Sequence, residues 1–597
     1  SNLNPSASNT LVDLNPNSLY RLSGTNEVML SPVSQQRNMF FGNSIGTITA
    51  LMPVTFRNYI TTANQGNYII LSHGQYINHP GGSVNQYASY RRSNLGGGYQ
   101  VVVVDVNDLY DQFGYGYEYH PIAIRRFLKY AQANAGWVNK PEYMFILAKG
   151  MTYQNIAGYR INPALTYPIV PTYGEPGSDN LFAEIEHSNI PSIAIGRFSA
   201  MTEGEIGNYL EKVKKYEAAL STPSVPTLEN SLWKKKALHI AGASDENSQT
   251  VFYGSLNICK SILEDTLIGG FVTTVGKSTT NVTENASAQI DSLIASGVQY
   301  VNFYGHASAV GFDYNLNNPD DINSSPRFPV FMAYGCDVAA IYEPTNSRAV
   351  SEKYLLSNNG GAIAMIACSN YGWTGYLDNY MQGLYRKMAR DQYGATLGKQ
   401  FIKNIETFQN GGGSNIYYAI HSQNMILQGD PGLKIYSPEL PDFYIEESLV
   451  STNPGVINTT IDSFEIKATL HNLGKATNDP YKVRLTKTKA GSGVVLYKDS
   501  VTVSTVTTTN VIFKVPIDPN NDIGLFNYTI SLNEEQSPDE ITFANNKVSI
   551  QMYISENNLK PVYPYDFSIV HEQNIELKAS TLNPFLPSTN FKLEIDT

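Results

Sequence analysis

The sequence predicts two α/β subdomains with mainly parallel sheets flanked by helices, followed by an immunoglobulin-like β-sandwich. Three observations carry this. From residue 67 to about 436, apolar runs alternate with stretches of helical period. The runs are continuous and rich in β-branched residues, as strands covered on both faces require. Beyond residue 441 the helical period vanishes, and short strand candidates broken by turn residues replace it. A chain of 597 residues is also too long for one core, so three or more domains are expected.

Residues 1–66 hold short β-type runs such as Gly46-Thr-Ile-Thr-Ala-Leu-Met and read as the tail of an N-terminal β domain. In residues 67–220, the first α/β subdomain, Asn67-Tyr-Ile-Ile-Leu-Ser, Gln100-Val-Val-Val-Val-Asp and Tyr143-Met-Phe-Ile-Leu-Ala are strands. Between the last two, Pro121 opens an amphipathic helix. Ser192-Ile-Ala-Ile-Gly is a fourth strand, and Thr202 with Glu205 forms a capping box at the head of a helix over 202–216. A Ser/Pro-rich linker at 221–226 opens the second subdomain, residues 221–440. Its strands start at Ala237, Tyr300, Phe328 and Gly361, and Gly297 closes a helix over 287–296. The sandwich, 441–556, has strand candidates at Phe464-Glu-Ile-Lys-Ala-Thr-Leu, Tyr481-Lys-Val-Arg-Leu, 494–497, Val511-Ile-Phe-Lys-Val and Tyr528-Thr-Ile-Ser-Leu. Residues 557–597 begin a further β pattern that stops mid-strand, so a truncated domain is expected there.

A net charge of −11 with no clustered Lys/Arg excludes nucleic acid as a partner. No apolar run approaches the roughly 20 residues that span a bilayer. The start at Ser1-Asn2 reads as a processed or engineered terminus, and a propeptide upstream of it stays open. Charged residues make up 16% while tyrosines number 41, a surface composition that points to an extracellular protein. Three cysteines are too few for a disulfide framework. Cys259 and Cys368 fall within apolar patterns and read as core. Cys336 is surrounded by small and polar residues.

Three strands of the second subdomain end in reactive residues: Ser244-Asp245-Glu246, Gly305-His306-Ala307 and Gly335-Cys336-Asp337. In parallel sheets, sites lie outside the carboxyl ends of the strands. Neighbouring strands would therefore gather a thiol, an imidazole and a carboxylate. An imidazole makes a thiol nucleophilic toward an acyl carbon, and a carboxylate behind the imidazole fixes its tautomer. Small flanking residues expose N–H groups to an oxyanion. Taken singly, a histidine at a strand end and a cysteine beside a buried strand are ordinarily structural, so only their conjunction suggests chemistry. Gly411-Gly-Gly lacks the Lys-Ser/Thr of a phosphate cradle, and the histidines are too scattered for zinc. Asp320-Asp321 offers at most a surface calcium, with a solvated loop the plainer reading.

Tyr304-Gly-His-Ala-Ser followed by Phe331-Met-Ala-Tyr-Gly-Cys336 resembles the His…Cys dyad of the gingipain family of cysteine peptidases, which belong to the caspase-like clan. Pro191-Ser-Ile-Ala-Ile-Gly-Arg-Phe-Ser, Ala364-Met-Ile-Ala-Cys-Ser-Asn-Tyr-Gly-Trp373 and Gly429-Asp-Pro-Gly-Leu-Lys resemble further segments of that family, in the same order. The resemblance implies Cys336 as nucleophile, His306 as acid/base and the N–H groups of Ala307 and Cys336 as oxyanion donors. It also implies Asp245 as the orienting carboxylate, Trp373 as a pocket residue, and no required cofactor. Two positions depart from the pattern: Ala307 stands where the family has Gly, and Gly335 where it has Ala. The acid that confers arginine specificity in the family has only neutral counterparts here, around residues 251–253.

The stretch Asp108-Leu-Tyr-Asp-Gln-Phe-Gly-Tyr-Gly…His120-Pro-Ile-Ala-Ile-Arg is most similar to the PorU-like branch, the cell-surface sortases of the type IX secretion system. That resemblance implies protein cargo bearing a C-terminal sorting domain, an outer-membrane protein partner and a lipopolysaccharide acyl acceptor. The alternatives are a secreted gingipain-like endopeptidase that digests external protein, and a catalytically degenerate surface scaffold.

Overall fold

The structure, a computed structural model, describes residues 10–13, 18–21 and 39–42. From Val54 to Lys592 it describes all but 134–135, 162–164, 222, 244, 277–283, 315, 344–346, 557–558, 572 and 582–589. Residues 1–56 and 57–597 form two compact units. In the first, β1 (Thr10–Asp13), β2 (Ser18–Arg21) and β3 (Met39–Gly42) make an antiparallel sheet in the order β2-β1-β3. The run 46–52 expected to be β-type lies outside the described residues, as do Ser244 and the final segment 593–597.

The second unit is built on one ten-stranded sheet. Its strands are β4 (Tyr68–Ser72), β5 (Val101–Asp105), β6 (Tyr143–Leu147), β7 (Ala194–Phe198), β8 (Lys236–Ala241), β9 (Phe271–Gly276), β10 (Tyr300–Tyr304), β13 (Val330–Tyr334), β14 (Ala364–Cys368) and β15 (Met425–Gln428). Between β10 and β13, the short strands β11 (Ala307–Ser308) and β12 (Gly311–Phe312) form a separate hairpin. The order across the large sheet is β5-β4-β6-β7-β15-β14-β13-β10-β8-β9. Every neighbouring pair is parallel except β14–β15, which is antiparallel. The sheet thus has two halves that run in opposite directions, β4–β7 with β15 and β8–β10 with β13 and β14, and their carboxyl ends lie on opposite edges; β15 crosses from the second subdomain into the first half. The four-residue β15 carries no period of its own, which is why this reversal was not legible. Strands β4, β6, β7, β10, β13 and β14 are buried along their whole length, as continuous apolar runs require when helices cover both faces.

Seven helices bear on the argument: α1 (Ser83–Arg92), α2 (Glu203–Leu220), α3 (Glu246–Glu264), α4 (Val350–Leu356), α5 (Thr374–Arg386), α6 (Leu397–Gly412) and α7 (Ile416–Asn424). The capping box of α2 is formed: Glu205 N–H donates to Thr202 Oγ1, and Thr202 N–H donates to the Glu205 carboxylate, both at 3.3 Å.

One buried carboxylate ties the first half together. Asp430, just past β15, is fully buried and accepts from Tyr68 Oη at 2.5 Å, Tyr87 Oη at 2.6 Å, Arg91 Nε at 2.6 Å and the Gly432 N–H at 2.7 Å. Arg91 Nη1 also donates to Glu217 of α2 at 2.8 Å. The cluster joins β4, α1, α2 and the end of β15. Gly196 of β7 leaves room for it, because a Cβ there would stand 2.2 Å from the Gly429 carbonyl oxygen.

The sandwich contains β16 (Phe443–Tyr444), β17 (Val450–Asn453), β18 (Ser463–Asn472), β19 (Tyr481–Lys489), β20 (Val495–Val503), β21 (Thr508–Pro516), β22 (Gly524–Leu532) and β23 (Lys547–Ile554). One sheet holds β16-β18-β17 with β21 on β18, and the other runs β20-β19-β22-β23. The alternating residues Phe464, Ile466, Ala468 and Leu470 meet Val483, Leu485, Phe526, Tyr528 and Ile530 in its core. Lys235 fixes the sandwich to the α/β body: its buried ammonium donates to the carbonyls of Asn472 at 2.7 Å and Gly474 at 2.8 Å. A final pair, β24 (Leu559–Tyr563) and β25 (Lys578–Thr581), is antiparallel.

Among the described residues, no helix is long and apolar enough to cross a membrane, and no group of three or more His, Cys, Asp or Glu is placed to hold a metal ion. Asp320 and Asp321 lie in a single 3-10 turn, with the Asp320 N–H facing the Asn318 side chain.

Asp430→Ala leaves Arg91 buried with only Glu217 to answer its charge, and removes the acceptor for two buried phenols. The expected loss is about 3–5 kcal/mol in denaturant unfolding.

Candidate active site

Strand register builds the site. β10 pairs in parallel with β13 from Tyr300↔Val330 to Tyr304↔Tyr334, and with β8 so that Tyr304 meets Ala241. The Gly305 N–H donates to the Tyr334 carbonyl at 3.3 Å and the Gly242 N–H to the Tyr304 carbonyl at 2.9 Å, extending both ladders by one residue. His306 and Cys336 therefore leave the sheet at the same level on adjacent strands, which lie about 4.8 Å apart. The segment leading to Asp245 leaves from β8 on the far side of β10. Sheet order thus brings the three expected strand ends to one edge.

At that level glycine is required by close approach. A Cβ on Gly335 would stand 2.7 Å from the Ala307 Cβ and 2.9 Å from the Gly305 carbonyl oxygen. The two departures from the family pattern are spatially coupled: the Ala307 methyl occupies the space into which a methyl on residue 335 would project.

Cys336 is the half-buried thiol of the three. Cys259 and Cys368 are fully buried, and burial pushes both thiols well above their usual range. The Cys336 Sγ faces Gly372 in the β14–α5 connection, lying 3.5 Å from its nitrogen and 3.6 Å from its carbonyl oxygen, which belong to two successive peptide groups. Immediately after it, Asp337 takes a left-handed turn at φ 58°, and its N–H donates to the Asn370 carbonyl at 3.1 Å. Burial raises the Asp337 carboxyl above its usual range.

The His306 ring is exposed and stands edge-on to Phe252 of α3, at 5.9 Å and 76°. Its backbone is clamped by Asp313: the His306 N–H donates to Asp313 Oδ2 at 3.3 Å, and the Asp313 N–H donates to the His306 carbonyl at 2.9 Å. The second bond closes the β11–β12 hairpin, in which Ala307 faces Phe312. That position is the non-hydrogen-bonded kind, so the Ala307 N–H points away from its hairpin partner. The Ala307 nitrogen is turned toward Gly335, 3.5 Å from where a Cβ there would stand.

Asp245 caps α3, accepting from the Ser248 N–H at 2.9 Å and from Ser248 Oγ at 2.6 Å. Those two bonds hold its carboxyl below the usual range, and the charge of His306 contributes a smaller part in the same direction. Asp245 therefore acts on His306 as a nearby charge and makes no hydrogen bond to its ring in this structure. Trp373, 44% exposed, stands at the head of α5, edge-on to Tyr417 and His421 of α7 at 5.4 Å each. On α3, Val251 is exposed and Phe252 packs under the imidazole, so this wall of the site is neutral.

Three residues at the site were not singled out in the sequence: Gly372, Asp313 and His421. Only the glycine between Tyr371 and Trp373 left a signal, as a break before a helix. Asp313 and His421 are distant in sequence from the groups they hold.

Residues 61–436 match the sequence model of Peptidase family C25, well over half of the chain. The chain belongs to peptidase family C25. This is the gingipain family of cysteine peptidases. Among solved structures, the chain is similar to the arginine-specific cysteine proteinase gingipain R, with 14% identity over 84% of this chain and 100% of that one and a TM-score of 0.47. It is similar to dimeric latent PorU from Porphyromonas gingivalis, with 14% identity over 93% of this chain and 50% of that one and a TM-score of 0.34. It is also similar to a CARDB domain from Pyrococcus furiosus, with 19% identity over 20% of this chain and 90% of that one and a TM-score of 0.16. No curated protein sequence matches the chain significantly.

In this C25 peptidase, Gly335→Ala is expected to lower stability by about 1–3 kcal/mol through overpacking and to slow alkylation of Cys336. Adding Ala307→Gly should recover part of both losses. A double-mutant cycle in urea, read beside the labelling rate, checks the coupling.

Proposed function

We propose that this C25 peptidase is a PorU-like cell-surface sortase of the type IX secretion system, which cleaves C-terminal sorting domains from protein cargo. The observation that supports the chemistry is the common level of Cys336 and His306 on adjacent strand ends, with one accessible thiol among three. In this reading the Cys336 proton passes to the His306 imidazole, and the thiolate attacks the scissile carbonyl carbon. The N–H groups of Ala307 and Cys336 receive the oxyanion. The C–N bond breaks as His306 returns its proton to the leaving amine, leaving a thioester on Cys336. Water or a lipopolysaccharide amine then attacks the thioester and gives a proton to His306, the C–S bond breaks, and the departing Cys336 thiolate takes that proton back to restore the thiol. Hydrolysis and transfer share every step but the last.

The neutral wall at residues 251–253 and the aromatic side chains at Trp373 and Tyr417 support cleavage that does not depend on a basic side chain. The segment 108–125, which carries the PorU-like resemblance, supports the sortase assignment over general digestion. An outer-membrane partner belongs to the same reading.

Cys336→Ala is expected to abolish release of sorting domains from cargo and to remove labelling by thiol-directed electrophiles. Undiminished processing by this variant would overturn the nucleophile assignment. With the active enzyme, cleavage confined to the sorting-domain junction upholds the sortase reading, and broad cleavage of unrelated proteins replaces it with the digestive one.

A further inference from the structure

His421 lies outside the strand-end site, yet one hydrogen bond connects it to the peptide segment beside the thiol, and a second fixes the ring on its own helix. It is fully buried on α7. Its Nδ1 lies 2.6 Å from the Tyr417 carbonyl oxygen, which can only accept, so Nδ1 carries the proton. Its Nε2 lies 2.9 Å from the Trp373 nitrogen, a backbone donor, so Nε2 accepts. The two partners together require the neutral Nδ1–H tautomer. The residue before Trp373 is Gly372, whose peptide flanks the Cys336 sulfur. The imidazole also stacks on Tyr376 at 5.2 Å and 24°, and meets the indole of Trp373 edge-on. One buried ring thus fixes both the backbone that holds the thiol and the side chain that walls the site.

We propose that His421 is a positioning residue: its neutral imidazole holds the Gly372-Trp373 segment against the Cys336 thiol, and protonation of the ring releases that segment. The proposal rests on the reading of Cys336 as nucleophile for its consequence in catalysis, but not for the structural event. A proton on Nε2 would set two N–H donors against each other at the present 2.9 Å, and the contact with Trp373 must break.

The surroundings add no charge that would hold a proton there. From α5 the facing titratable group is Tyr376, and on α7 itself the neighbours are Tyr417 and Tyr418. From α6, Gln409 is turned to Ser422, and Cys368 of β14 and Met425 of β15 are in contact with each other. Burial lowers the His421 pKa below the ordinary histidine value, opposed by the Tyr417 carbonyl, and no carboxylate or cationic side chain contributes. The folded state therefore binds this proton less readily than the unfolded chain, and acid works against the closed arrangement.

The test uses the full chain and two variants. His421→Gln keeps an acceptor for the Trp373 N–H but does not titrate. His421→Leu removes both bonds. Trp373 is the exposed member of three tryptophans, since Trp137 and Trp233 are 1% and 3% exposed, so acrylamide quenching reads its surroundings directly. Between about pH 7 and pH 4, wild type should show a transition in quenching, with far-UV circular dichroism constant, and the Gln variant should not. Over the same window, the ratio of Gln-variant to wild-type rates of Cys336 alkylation by iodoacetamide should rise by about tenfold, the value of one positioning hydrogen bond. Leu should slow alkylation at every pH. Identical pH dependence in wild type and the Gln variant would overturn the proposal. So would unchanged labelling in the Leu variant. Processing that survives Cys336→Ala would instead overturn the nucleophile assignment and leave the fluorescence transition intact, so the two failures are distinguishable.

Discussion

The register between β10 and β13 is the constraint on which the site depends. Tyr304 opposite Tyr334 makes residues 306 and 336 neighbours, and any slip would move the imidazole and the thiol to different levels of the sheet. Parallel pairing alone does not fix the level. Burial does, because both strands are buried along their full length, and shifting one by a residue would turn its side chains to the opposite helical layers. Close packing then refines it. Gly305, Gly335 and the Ala307 methyl fit together so tightly that a single added carbon must displace backbone. The geometry of the candidate site at this edge is therefore a consequence of core packing below it.

The antiparallel step between β14 and β15 has a second effect. It sends the carboxyl ends of the two half-sheets to opposite edges, so only one half contributes strand ends to the site. Yet the first half is not passive. Asp430 follows β15 and is held by Tyr68, Tyr87 and Arg91 from the first half, so that half anchors the strand on which α7 ends. Helix α7 in turn carries His421 to the Trp373 backbone. A buried ionic cluster far from the thiol thus bears on the segment that touches it.

Much of this was legible in the sequence because strands buried on both faces advertise themselves. Tyr300-Val-Asn-Phe-Tyr and Phe331-Met-Ala-Tyr admit little but strands, and reactive residues following such runs fall at a sheet edge by necessity. The capping box at Thr202 and Glu205 was readable for a similar reason, since both partners lie within four residues. What was not legible depended on partners remote in sequence. The reversal at β15 lies in four residues without a period. Asp313 clamps the His306 backbone only because a two-residue hairpin returns the chain. His421 approaches Trp373 from 48 positions away. Periodicity carries no information about such meetings.

The placement of the carboxylates bears on how the imidazole is controlled. Asp245 spends both oxygens on Ser248, and Asp313 holds the peptide of His306 instead of its ring. Aromatic contact with Phe252, itself packed 4.6 Å from Tyr304, is what orients the imidazole. In the proposed mechanism, a ring steadied by apolar packing can swing toward the thiol for the first proton transfer and toward the leaving amine for the second, which a fixed carboxylate bond would resist. The thiol is the more constrained partner, flanked by the Gly372 peptide and followed by a left-handed turn at Asp337. The division fits the proposed mechanism, in which the nucleophile stays in place through both half-reactions while the acid/base serves two different atoms.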